Sequence, residues 1–432
     1  MHSNARKRAL PAAAVIVTAA LMTAGCAGGT GGGDAGADAP QELTIMWESG
    51  GKEALDLVIK EFKAVNPDVK VTVEYLDGQV IKTQVPTRLA AGTAPDLFRT
   101  EAGSGTTTAT QILAARGYLA PIEIEGLELP ESITATMTYE NELYGFAPVL
   151  QSLGQVFNDE ALTASGLSVP ETWDDVLTFC ADARALGTYA YAQGPVSLHE
   201  NQTTPYALSG ELVFEPDPDF DAQMADGKVR FPDSNWVKVL DRTLEMVDGE
   251  CFPDGFEGND MTAVLDSLAT GKGLGMVGYS SYLPYASGSG ATFSIYPLPA
   301  SDDPEDSRLL VAPAQPFAIN AKAKNVELAQ EFLSFLAQPE MTQLYADTLA
   351  PTGGLLPASY LTQDPSQTQV NDMMLKYLDE ERTFQFPDAT WPNPEVQLAL
   401  QSGMQEAIQG KRSVEDVLNA MQQAYDQGGP AD

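Results

Sequence analysis

The alternation of patterns between Leu43 and Thr100 limits the possible folds more than any other feature. Leu43 to Trp47 (LTIMW) is an apolar run of strand length, and Val69 to Tyr75 (VKVTVEY) alternates apolar and polar residues as a half-buried strand does. Between them Leu55, Val58, Ile59, Phe62 and Val65 recur at helical spacing, and Asn66-Pro67 ends the run. A second helical run reaches Ala91, starting or kinking at Pro86, before GTAPDLFRT gives a turn and a third strand. Strand, helix, strand, helix, strand predicts a parallel sheet covered on both faces. Ligands of such sheets sit beyond the carboxyl ends of the strands. Trp47, Glu48, Arg99 and Glu101 fall at or just past such ends, which makes them candidates for a cleft.

The N-terminus predicts export. Arg6, Lys7 and Arg8 precede an apolar run from Ala9 to Met22, followed by Thr23, Ala24, Gly25 and Cys26. The run is too short for a comfortable membrane span and carries Pro11. Ala-Gly-Cys resembles the end of a bacterial lipoprotein signal, which implies removal of residues 1–25 and a lipid on Cys26. Thr23 stands where Leu is usual. Residues 26–41, rich in glycine and aspartate, read as a flexible tether. The removed part carries three basic residues and no acidic one, so the formal net charge moves from −36 to −39. Such a surface repels nucleic acid and anionic headgroups, leaving a lipid anchor as the only membrane contact. Cys180 and Cys251 remain, and in an exported chain they are expected to be bonded to each other. With His199 the only histidine left, metal ligands are few, and neither a metal nor a cofactor is expected.

Tyr144 to Leu162 (YGFAPVLQSLGQVFNDEAL) begins with a turn around Gly145 and Pro148 and continues as an extended run from Leu153 to Phe157. It reads as the first passage from one half of a two-lobed molecule to the other. Thr172 then caps a helix with Asp175 three residues on, and Trp173 is expected to pack in the core. Residues 194–227 read as irregular and polar. Asp217, Asp219 and Asp221 suggest a calcium loop, but Ala222 and Lys228 occupy the positions that need Gly and Glu. Leu274 to Val277 is a short strand leading into an aromatic turn. Ala312 to Glu340 is extended up to a break at Lys322 to Asn325 and helical thereafter. Two helices close the chain, Val396 to Ile408 and one capped by Ser413.

Seven stretches stand in an order that resembles the extracellular solute-binding proteins of ABC transporters, in the carbohydrate-binding family that includes maltose-binding protein. They are NPDVKVTV, GTAPDLF, YGFAPVLQSLGQVFNDEAL, VPETWDDVL, GLGMVGYSSY, FAINAKAKNVELAQEFLSFLAQPE and GKRSVEDVLNAMQQA, spanning Glu42 to Gln427. The resemblance implies an α/β fold of two lobes, each a mostly parallel sheet flanked by helices. It places residues 42–152 with 318–378 in one lobe and 153–317 with 379–427 in the other. Three crossings would fall near Gln151 to Leu153, Phe317 to Asn320 and Tyr377 to Glu380. A monomer that closes on a sugar or oligosaccharide and hands it to the permease subunits of an importer is the implied function, carried out at the outer face of the bacterial cell membrane.

A sugar site needs flat aromatic faces against the apolar side of a pyranose and planar polar groups around its hydroxyls. Trp47 and Trp391 are assigned as stacking faces, with Tyr282 as a smaller one in the turn Ser280-Ser281-Tyr282. Glu48, Glu101, Gln151, Glu200 and Gln315 are the polar candidates, with Arg99 beside them. The acidity also admits a cationic solute such as a polyamine. A glycoside-acting enzyme would need two carboxylates of separated pKa. The sequence has no spacing that identifies such a pair, and no G-x-S-x-G, H-E-x-x-H or phosphate-binding loop.

Overall fold

The computed structural model describes residues 41–124, 129–286, 290–351, 353–360 and 368–428. The export signal, Cys26 and the tether expected from the sequence lie outside these residues, as does residue 40. Among the described residues there are fourteen strands, numbered in chain order. The first four are β1 (Glu42–Glu48), β2 (Lys70–Leu76), β3 (Leu97–Arg99) and β4 (Leu119–Ala120). After the hairpin β5 (Thr138–Tyr139) and β6 (Glu142–Leu143) comes the long β7 (Val149–Asn158). Then follow β8 (Tyr191–Ala192), β9 (Gly275–Tyr279), β10 (Phe293–Tyr296) and β11 (Leu309–Ala314). The last three are β12 (Phe317–Asn320), β13 (Leu356–Pro357) and β14 (Thr383–Phe384).

Two α/β lobes result. In the first, the sheet order is β2-β1-β3-β12-β4, with β1 parallel to both β2 and β3. Side chains alternate across a strand. Ile45 and Trp47 therefore enter one core, under the helices 52–65, 326–336 and 339–349, while Met46 enters the other, under the helix 78–91. In the second lobe the order is β14-β11-β7-β9-β8, and β7 also pairs with β10 and β13. This sheet is mixed: β7 runs antiparallel to all its neighbours, and β8 and β14 run parallel to theirs. Leu153 and Phe157 of β7 face a core built with the two C-terminal helices, and Leu150 and Val156 face the core under the helix 369–379.

Several local expectations change. The helix ending at Ala91 begins at Gly78, not Pro86, because the Asp77 side chain accepts from Gln79 N at 2.9 Å and caps it there; Pro86 lies inside it. Residues 203–209 form a helix whose every residue is buried, within the stretch read as irregular. Thr203 Oγ1 and Ser209 Oγ donate inward, to Glu200 O and Tyr206 O, so polar composition did not mean exposure. The chain passes from β11 to β12 at Gln315-Pro316, and from the helix 339–349 to β13 between residues 349 and 356. The helix 369–379 sits on the second sheet, where the Gln369 amide exchanges two hydrogen bonds with the Ile295 backbone at 2.8 and 3.0 Å. The third crossing therefore precedes Tyr377, because the apolar stripe of that helix matches β10 and β11.

Thr172 and Asp175 form the expected capping box, and Trp173 is buried with its Nε1 on Glu245. Cys180 of that helix is joined to Cys251, 71 residues away, and both are fully buried. The bridge pins the helix to the turn that leads out of the helix 236–248. Replacing both residues (Cys180→Ala with Cys251→Ala) is expected to cost about 2–5 kcal/mol, read as a lower denaturant midpoint for the second lobe. An unchanged midpoint would show that buried packing alone holds this corner.

Candidate ligand-binding cleft

A cavity of about 550 Å³ lies between the lobes. Its first wall comes from the carboxyl ends of β1 and β3. Glu48 follows Trp47 and so faces away from the core that takes the indole, which turns it into the cavity with Arg99 and Glu101. Lys82, from the helix 78–91, joins them. Its Nζ is 2.8 Å from Glu101 Oε1, while Arg99 lies 3.5 Å from Glu48 and 3.7 Å from Glu101. Burial pushes the Glu101 carboxyl upward, but Lys82 and Arg99 together outweigh it and hold the group below its ordinary range. Gln151 and Gln315 also line the cavity. Gln315 Nε2 donates to Glu48 Oε2 at 2.9 Å, and its buried Oε1 has no partner among the described residues.

The second wall is aromatic. Tyr279 and Tyr282 meet edge to face at 5.2 Å, Phe386 lies 5.8 Å from Tyr279, and Tyr285 is 66% exposed at the rim. Gln202 donates to the Tyr279 hydroxyl at 2.9 Å and accepts from Gln401, which fixes ring and amide together. Asp388 accepts from Gln397 at 2.6 Å; burial and then the charge of Glu101 push its pKa up to about 6. His199 is lowered by burial and by Lys82, so it is neutral at neutral pH.

Six of the nine residues singled out in the sequence thus line one cavity: Glu48, Arg99, Glu101, Gln151, Tyr282 and Gln315. Trp47 and Trp391 do not, and their assignment as stacking faces is corrected. Trp47 is fully buried, stacked on Phe317 at 3.5 Å with Nε1 on the Tyr345 hydroxyl. Trp391 is 2% exposed in a separate core, edge-on to Tyr206 and Phe231 and 6.0 Å from Trp236. It anchors the entry to the helix 394–408. Glu200 lies behind the aromatic wall, 1% exposed and bonded to Tyr282. Burial pushes its pKa up to about 8, so it is an uncharged acid at neutral pH. Among the described residues no group of three His, Cys, Asp or Glu is placed to hold a metal ion.

The residues that sequence reasoning missed are Lys82, Gln202, Tyr279, Tyr285, Phe386, Asp388 and Gln397. Tyr279 and Tyr285 flank the turn already chosen for Tyr282, so an aromatic cluster was there to be seen. Gln397 stands one turn into a helix recognised only by its apolar stripe.

Two outcomes follow from this placement. Folding favours the protonated Glu200, so its contribution to stability is full below about pH 4.5 and is lost as the pH rises through about 8. Glu200→Gln keeps an uncharged group, and its melting temperature is expected to fall less than that of the native protein across this range. Parallel curves would mean that Glu200 titrates normally. Trp391→Ala is expected to cost about 3–5 kcal/mol of stability, measured by denaturant unfolding. A fully stable variant with lost ligand affinity would return the indole to the cleft.

Sequence and fold comparisons agree with this architecture. A profile of bacterial extracellular solute-binding proteins matches residues 20–343. An uncharacterized lipoprotein encoded in the oleD 5′ region of Streptomyces antibioticus is 26% identical over 358 residues, 77% of this chain and 74% of the relative. A family 1 extracellular solute-binding protein from Bifidobacterium longum subsp. infantis superposes with a TM-score of 0.70 at 21% identity, covering 90% of this chain and 99% of that one. A sugar transporter from Bacillus licheniformis, in complex with stachyose, gives a TM-score of 0.70 at 16% identity over 90% of this chain and 100% of its own. With two α/β lobes around one cleft and a profile match over most of its length, this chain belongs to the bacterial extracellular solute-binding proteins.

Proposed function

We propose that the protein captures a sugar or oligosaccharide between its lobes and delivers it, unaltered, to the permease subunits of an ABC importer. The observation that carries this reading is the lining of the cavity, where the rings of Tyr279, Tyr282 and Phe386 stand together with planar amides and carboxyls. Tyr279, Tyr282 and Phe386 offer faces and edges for the C–H side of a pyranose. Gln151, the unpartnered Oε1 of Gln315 and the carboxyls of Glu48 and Glu101 offer hydroxyl partners of fixed geometry. The Bacillus licheniformis relative, in complex with stachyose, supports the same ligand class.

A polyamine suits the cavity less well, because Lys82 and Arg99 already pair with Glu48 and Glu101 and would repel a second cation. Binding without chemical change is part of this proposal and accords with the family; Glu101, which Lys82 and Arg99 hold below its ordinary range, is a poor proton donor. On this reading the chain acts as a monomer outside the cell membrane, held there by a lipid on Cys26 and the acidic tether that follows it.

Heating the protein with raffinose, stachyose and maltotriose in one panel and putrescine and spermidine in another tests the ligand class. A rise in melting temperature is expected with one of the sugars and with neither amine, and Tyr282→Ala is expected to remove it. A rise with an amine alone would overturn the sugar reading.

A further inference from the structure

The loop that leaves β3 rests on the second lobe through its main chain. Ser104 N donates to Ala389 O at 2.7 Å. The Ser104 hydroxyl lies 2.9 Å from the same carbonyl and 3.1 Å from Trp391 O. The glycines on either side permit this approach. A Cβ on Gly105 would stand 2.0 Å from Asp388 O, and one on Gly103, where φ is +83°, would stand 2.4 Å from Ala389 Cα. Both surfaces are held from behind. Gly103 N donates to Thr136 O and Thr110 N to Glu101 O, while Ala389 belongs to a short helical turn locked by the buried Trp391. Glu101 and Thr106 on the loop and Asp388 on the turn also line the cavity, so the docked loop forms part of its wall.

We propose that Gly103-Ser104-Gly105 is a latch between the lobes and that Ser104 is a positioning residue for ligand retention. Docking of the loop sets how far the lobes stand apart, and hence what fraction of the protein is ready to hold a ligand. The retained ligand rests on the solute-binding reading of the cleft, but the latch is a property of the free protein.

Spin labels on Val65→Cys, in the first lobe, and Leu186→Cys, in the second, report the separation by double electron–electron resonance without any sugar present. Both positions are more than half exposed, at 65% and 56%. Gly105→Ala is expected to shift the distances outward, because the added methyl cannot share space with the Asp388 carbonyl. Ser104→Ala is expected to raise the open fraction up to about fivefold, the equivalent of one hydrogen bond, and Ser104→Thr to restore it. If Gly105→Ala unfolds, Ser104→Ala decides alone. Distances that superimpose on the parent in the folded variants would overturn the latch. No ligand enters this measurement, so its failure would leave the sugar reading standing, and a failed sugar panel would leave the latch standing.

Discussion

The cleft depends on one short reversal, where Gln315 turns the chain from the second sheet to the first and its amide nitrogen holds Glu48. Only two residues separate β11 from β12, so Gln315 adopts a left-handed backbone with φ +52°. A non-glycine residue there costs about 1–3 kcal/mol. Phe317, two residues on, offsets the strain: its ring is stacked on Trp47 and its backbone exchanges hydrogen bonds with Phe146 at 2.8 and 2.9 Å. Packing in the first lobe therefore fixes a residue that lines the cavity, and through it the Glu48 carboxylate.

The same physics separates what could be read from the sequence from what could not. Strand periodicity places Trp47 and Glu48 on opposite faces, yet both stood at a strand end and both looked like ligand residues. Position along the strand was legible, while the side of the sheet that faces the cleft was settled only when the helices 52–65 and 339–349 covered the indole. Trp391 misled for a related reason. Its neighbours in space, Tyr206, Phe231 and Trp236, lie more than 150 residues earlier, and no local pattern announces their convergence. Strands and helices with strong caps, such as Thr172 with Asp175, were legible because the signal and the structure are both local. The helix 369–379 was assigned to the wrong lobe because an apolar stripe says that a helix packs, not on which sheet.

Charge tells a similar story at two scales. The chain as a whole carries −36, which by itself invites a cationic guest. Inside the cleft, Lys82 and Arg99 pair with the carboxylates of the first wall, and burial leaves Glu200 uncharged behind the second. The acidity belongs mainly to the solvated surface, where it keeps the body soluble, and the local balance near the rings suits a neutral, hydroxyl-rich molecule.

What occupies the space between the tyrosines and the paired charges decides the ligand class. Native mass spectrometry of the protein taken from its own host reads this directly. A retained adduct of hexose-oligomer mass, lost from Tyr282→Ala while its folded charge-state distribution persists, is the predicted result. An adduct of polyamine mass, or a sugar adduct indifferent to loss of the Tyr282 ring, would contradict it.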